Sequence, residues 1–292
     1  MLTNFQRKWG VEQWVTFLKD KEVPILPRTR LVLETVATER KDTVGAKELA
    51  GYVFGDPYLA LKLLRQAERH RSRHLGHDTT TPLASVMQEG IDGLMKTVRS
   101  GPLADDALAG LRDCEARAVL SAEISRRWAS SRADVSPEEV ALAALLSESG
   151  ELMLWYLAPE LPILALENLT SGRAFRTAEA QSMACGFVFK QMTIALTDAW
   201  DLPPLIKQLI RGADTLRANI ARLAADTARH IVLHPENPAI PADIVHIKEV
   251  LPNMTHRELI GALPISDDYK EVVLQQIVQN RVSEEPNFEV SK

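Results

Sequence analysis

Two runs of seven apolar residues, Val140–Leu146 and Leu152–Ala158, flank the polar quintet Ser147-Glu148-Ser149-Gly150-Glu151. No other feature of the chain restricts its fold as much. Each run is apolar on every side, so it has no face to offer to water. Each also falls well short of the roughly 20 residues needed to cross a bilayer, so the burial has to be inside protein. Their Leu and Ala residues favour helix, which predicts a pair of core helices with a polar break between them.

The rest of the chain points the same way. Leu and Ala occupy 38 and 34 of 292 positions, whereas Gly, Pro and aromatic residues are sparse. This composition excludes collagen-like, disordered and disulfide-scaffold classes and disfavours an all-β fold. The expected class is all-α. The formal net charge of −5 removes any bulk attraction to nucleic acid or anionic lipid, so neither is an expected partner. Cys114 and Cys185 are too few for a disulfide framework and lack zinc-finger spacing, as in a reducing compartment. The opening MLTNFQRKWG lacks the apolar core of a signal peptide. Together these features predict a soluble, cytoplasmic protein.

Helical periodicity continues almost throughout. A stripe of Leu31, Val32, Leu33, Val36 and Ala37 predicts a helix over 29–38. Asp56-Pro57 separates helices expected over 46–54 and 57–70, with Asp56 as N-cap and Pro57 in the first turn. Segment 83–98 predicts one or two short helices interrupted near Gly90 and Gly93, and 103–129 reads as a long periodic run. Ser136-Pro137-Glu138-Glu139 has the form of a helix start, with Ser136 as cap. Further helices fit 161–170, 177–185, 187–200, 204–210 and 214–233. A Pro-rich bridge, HPENPAIP at 234–241, precedes a smaller helical region ending near Val282.

Phosphate-binding, dinucleotide-binding, zincin and nucleophile-elbow motifs are all missing from the sequence. His70, His74 and His77 have a spacing compatible with metal, but Gly76 and the arginines around them oppose it, leaving a polar connection. Arg65, Arg69, Arg71 and Arg73 form a candidate basic patch for a phosphate-bearing ligand. Cys114 has Arg112 and Arg117 nearby but no His to activate it, so it reads as a packing residue.

Four blocks occur in a telling order: VPILP at 23–27, ELAGYVFGDPYLALKLLRQA at 48–67, SPEEVALAALLSESGELML at 136–154 and WDLPPLIKQLI at 200–210. Together they resemble the HDOD family, bacterial signalling domains related to HD-type metal-dependent phosphohydrolases. The resemblance implies a multi-helix orthogonal bundle over 23–214, an N-terminal helical segment over 1–22 and a C-terminal helical extension over 215–292. HD hydrolases hold a divalent metal with a His-Asp pair. Here Ser147 and Glu148 stand at the equivalent place, Cys114 replaces an earlier family His, and no His occurs near Phe189 or within 211–214. The family's Asn-Ser pair is Glu68-Arg69. Cys114, Ser147, Glu148 and Phe189 are therefore expected to mark a degenerate pocket, with no catalytic residue, bound metal or cofactor. The function implied is regulatory, through a signalling protein partner or a nucleotide ligand, with a metal-dependent phosphohydrolase as the alternative.

Overall fold

The computed structural model describes residues 2–40, 43–70 and 79–284. The N-terminal half contains α1 (Val11–Leu18), α2 (Pro27–Glu39), α3 (Ala46–Phe54), α4 (Pro57–His70), α5 (Pro82–Ser100) and α6 (Ala109–Ala129). The apolar runs follow as α7 (Pro137–Leu145) and α8 (Ser149–Leu157), joined through a 3-10 turn, Leu146–Glu148. Then come α9 (Glu160–Thr170), α10 (Thr177–Cys185), α11 (Phe189–Ala199) and α12 (Pro204–Arg211). The C-terminal helices are α13 (Leu216–Leu233), α14 (Ile240–Val250), α15 (His256–Gly261) and α16 (Asp267–Glu284). The fold is all-α. Among the described residues the sole β-type pairing is an isolated bridge between Ile25 and Leu103.

The first apolar run is buried as expected, with every side chain from Val140 to Leu146 0–1% exposed, and the second is buried except at Tyr156 and Leu157, which are half-buried. The stretch Pro137–Leu157 passes for a membrane span by length and composition, yet 72% of its most apolar window is buried inside the bundle. Helices α6, α12 and α13 pack on its α7 half and α4, α6, α9 and α11 on its α8 half, and the Tyr58 hydroxyl donates to the Leu152 carbonyl at 2.7 Å, tying α4 to α8. The first apolar core also takes in α1 to α5 and α9 to α12. A second cluster is formed by Trp128, Val140 and neighbouring residues against α13 to α16. There the Trp128 indole N–H donates to the Leu259 carbonyl at 3.1 Å, which satisfies its one polar atom within the apolar contact.

Asp56 does more than the capping expected of it. Its Oδ1 accepts from the Tyr58 and Leu59 backbone N–H groups at 2.9 and 3.0 Å, and its Oδ2 accepts from Leu26 at 3.0 Å. One wholly buried carboxyl thus starts α4 and fixes the segment entering α2.

Several local expectations need correction. The buried face of α2 runs through Thr29, Leu33 and Val36, whereas Leu31 and Val32 are 68% and 41% exposed. α5 is interrupted at Gly90 alone, where φ is +70° and the left-handed backbone favours Gly. The 103–129 run starts its helix at Ala109. Ser136 precedes α7 without making a side-chain capping bond. In contrast, Thr81, Thr215 and Thr255 do cap α5, α13 and α15.

Candidate functional site

The most concentrated chemistry lies where α6 meets the turn into α8. Cys114 and Arg117 stand three residues apart on α6, and Glu148 and Glu151 stand three apart at the start of α8, so each pair shares a helix face. Packing of α6 on α8 brings these faces together. The Cys114 thiol and one oxygen from each of Glu148 and Glu151 all lie within 4.8 Å of one another. Arg117 belongs to the same cluster: its Nη2 is 2.7 Å from Glu151 Oε1 and 3.9 Å from Glu148 Oε2. The Trp155 indole N–H also donates to Glu151 Oε1, at 3.2 Å.

The site is shielded from water. The side chains of Arg117, Glu148 and Glu151 are 15%, 16% and 12% exposed, and Cys114 is completely buried. Burial pushes the Cys114 thiol well above its ordinary pKa, and the Glu151 carboxylate adds to the effect, so the sulfur is a neutral thiol rather than a nucleophile. Burial likewise raises the Glu148 carboxyl above the usual carboxylate range, with Arg117 opposing it. Burial disfavours the charge on Arg117, but Glu151 and its neighbours outweigh this and hold the guanidinium charged, above its normal pKa.

This electrostatic arrangement determines what the cluster can bind. Cys, Glu and Glu could supply three ligands to a divalent ion. The positive charge among them is already provided by Arg117. A dication about 4 Å from that guanidinium would meet a repulsion of about 8 kcal/mol at an effective dielectric of 20, twice the figure for two unit charges. Arg117 therefore opposes a divalent ion at this donor set, while the two carboxylates favour one.

Ser147 and Phe189, the other two residues expected at the pocket, are both joined to Thr193 through their carbonyls. The Ser147 hydroxyl donates to the Ala144 carbonyl at 2.7 Å. Phe189 is buried, and its backbone N–H donates to Gln181 Oε1 at 2.9 Å. Thr193, one turn beyond Phe189, links these parts: its Oγ1 accepts from the Gly150 N–H at 3.1 Å and lies 3.2 and 3.3 Å from the Ser147 and Phe189 carbonyls. A Cβ on Gly150 would lie 2.5 Å from the Thr193 backbone nitrogen, so glycine permits the close approach of α8 and α11. Ser149, also buried, has no hydrogen-bond partner for its hydroxyl among the described residues.

Glu151, Thr193, Trp155 and the charge-compensating role of Arg117 escaped the sequence reading. The available signal was the i, i+3 spacing on each helix, but pairing those faces requires the tertiary contact. The proposed basic patch also changes character. Arg65 is 7% exposed; it donates to the Lys19 and Lys21 carbonyls at 2.8 and 3.4 Å and lies 4.8 Å from the Trp200 ring centroid. It satisfies carbonyls after α1 instead of standing in solvent, whereas Arg69 is exposed. Arg71 and Arg73, like His74 and His77, lie outside the described residues.

Comparison with known proteins places the chain in a family. The HDOD domain matches residues 23–216. Among solved structures, a virulence factor from Campylobacter jejuni subsp. jejuni is similar at a TM-score of 0.69 and 16% identity, over 89% of this chain and 98% of that one. The MmoQ response regulator from Methylococcus capsulatus str. Bath is similar at 0.58 and 16% identity, over 88% and 99%. A fragment of that regulator gives 0.55 and 19%, over 76% and 90%. No curated protein sequence matches. Because the domain match spans well over half of the chain, including the blocks around Asp56, Glu148 and Trp200, the protein belongs to the HDOD family.

Proposed function

We propose that this protein is a non-catalytic regulatory module of HDOD type that acts in the cytoplasm by binding a signalling protein or a small ligand. One observation carries the reading: Arg117 holds its guanidinium against Glu151 and Glu148, where a hydrolytic HD centre would need a metal ion. Among the described residues the cluster has no imidazole, its thiol is neutral and one carboxyl is held above the usual range by burial. Each of these features weakens metal binding, and none offers a base poised to activate water.

The alternative, a metal-dependent phosphohydrolase, makes the opposite demand on Glu148. Incubation with bis(p-nitrophenyl) phosphate and Mn²⁺ or Mg²⁺ is expected to give no turnover above that of Glu148→Gln. Turnover by the wild type that disappears in Glu148→Gln would overturn the regulatory reading.

A further inference from the structure

A cleft of about 270 Å³ opens between the segment following α1 and one face of α4. Lys62, Arg65 and Arg69, at i, i+3 and i+7 on α4, line one side, and Asp20, Lys21 and Glu22 line the other. The four cations exceed the two carboxylates by two charges. Lys62 and Arg65 are 6% and 7% exposed, so their charges are not simply solvated at the protein surface.

Both buried cations are held in place while retaining donors. Lys62 Nζ is 2.7 Å from Glu22 Oε1 and 3.3 Å from the Val23 carbonyl, using two of its three N–H groups. A Cβ on Gly101 would lie 2.6 Å from that ammonium, so glycine leaves the space Lys62 occupies. Arg65 is fixed by Trp200 and the Lys19 and Lys21 carbonyls, using two of five N–H groups. Burial, together with the nearby charge of Arg69, lowers Arg65 to about 10, consistent with positive potential that the two acids leave uncompensated.

We propose that this cleft is a binding site for a small phosphorylated anion, with Lys62, Arg65 and Arg69 as its cationic contacts and Glu22 as the group it displaces. Glu22 is suited to leave, since its side chain is 59% exposed while its lysine partner is buried. The volume is that of about nine waters at ~30 Å³ each, ample for a diphosphate group. This site is separate from the Arg117 cluster.

Calorimetric titration with inorganic pyrophosphate, at ionic strength held constant with chloride, tests the assignment. Wild type is expected to bind saturably at one site per chain. Glu22→Gln removes the competing carboxylate and is expected to tighten binding about threefold, while Arg69→Gln removes a charged contact and weakens it about tenfold. Both substitutions are at the cleft mouth, and unchanged circular dichroism would verify that the fold persists. No saturable binding by wild type, or equal affinity in all three proteins, would overturn the proposal. Neither result would bear on metal binding or turnover at Glu148, so the two readings fail independently.

Discussion

Arg117→Met is expected to lose about 3–5 kcal/mol of stability, the usual range when one partner of a buried ion pair is removed. For a chain of this length that corresponds to a fall of roughly 5–8 °C in the unfolding midpoint. The loss comes from Glu151 and Glu148, which would remain together in a poorly hydrated site without their cation. Burial already raises the Glu148 carboxyl, and removal of Arg117 takes away the attraction opposing that rise. A carboxyl with a higher pKa in the folded state takes up protons on folding, so its contribution to stability falls as pH rises through that value. The deficit of the variant should therefore be smaller at pH 5 than at pH 8. Adding Glu151→Gln should recover part of it, because the amide oxygen can still accept from Trp155 without carrying charge. Thermal unfolding of the single and double variants at both pH values measures all three effects. A single variant within about 0.5 kcal/mol of wild type would mean that Arg117 does not compensate the cluster.

Asp56→Ala should be comparably damaging, at about 3–5 kcal/mol, because three backbone N–H groups lose one shared acceptor. An ordinary exposed N-cap would cost only about 1 kcal/mol. The difference arises from the Leu26 contact, which joins a second segment to the start of α4 in a site with no water access. Asp56→Asn keeps one acceptor oxygen and should fall between alanine and wild type. Urea unfolding of the three proteins provides the ranking, and an alanine loss near 1 kcal/mol would reduce Asp56 to a simple cap.

The same residues mark what could be read from the chain before its tertiary structure. Apolar runs too long to expose and too short to span a membrane placed α7 and α8 in a core. Asp-Pro punctuation located the start of α4, because capping is local in sequence. The face of α2 was misjudged for the opposite reason: Leu31 and Val32 satisfy a helical stripe, but burial depends on the direction from which α5 packs. Arg65 illustrates this for charge, since its sequence suggested solvent while Trp200 and carbonyls after α1 enclose it. Around the candidate site, the resemblance drew attention to Glu148 and Cys114, which the structure does bring together. Arg117 was visible as a neighbour of Cys114, but its contact with Glu151 spans 34 residues and exists only once α6 packs against α8.

The most direct measurement is equilibrium dialysis of the wild-type chain against Mn²⁺ and Co²⁺, followed by elemental analysis of bound metal. With Arg117 as the resident cation, neither ion should be retained above the level found for Glu148→Gln. One ion per wild-type chain, lost in Glu148→Gln, would contradict the internal-cation account and restore a metal centre to this fold.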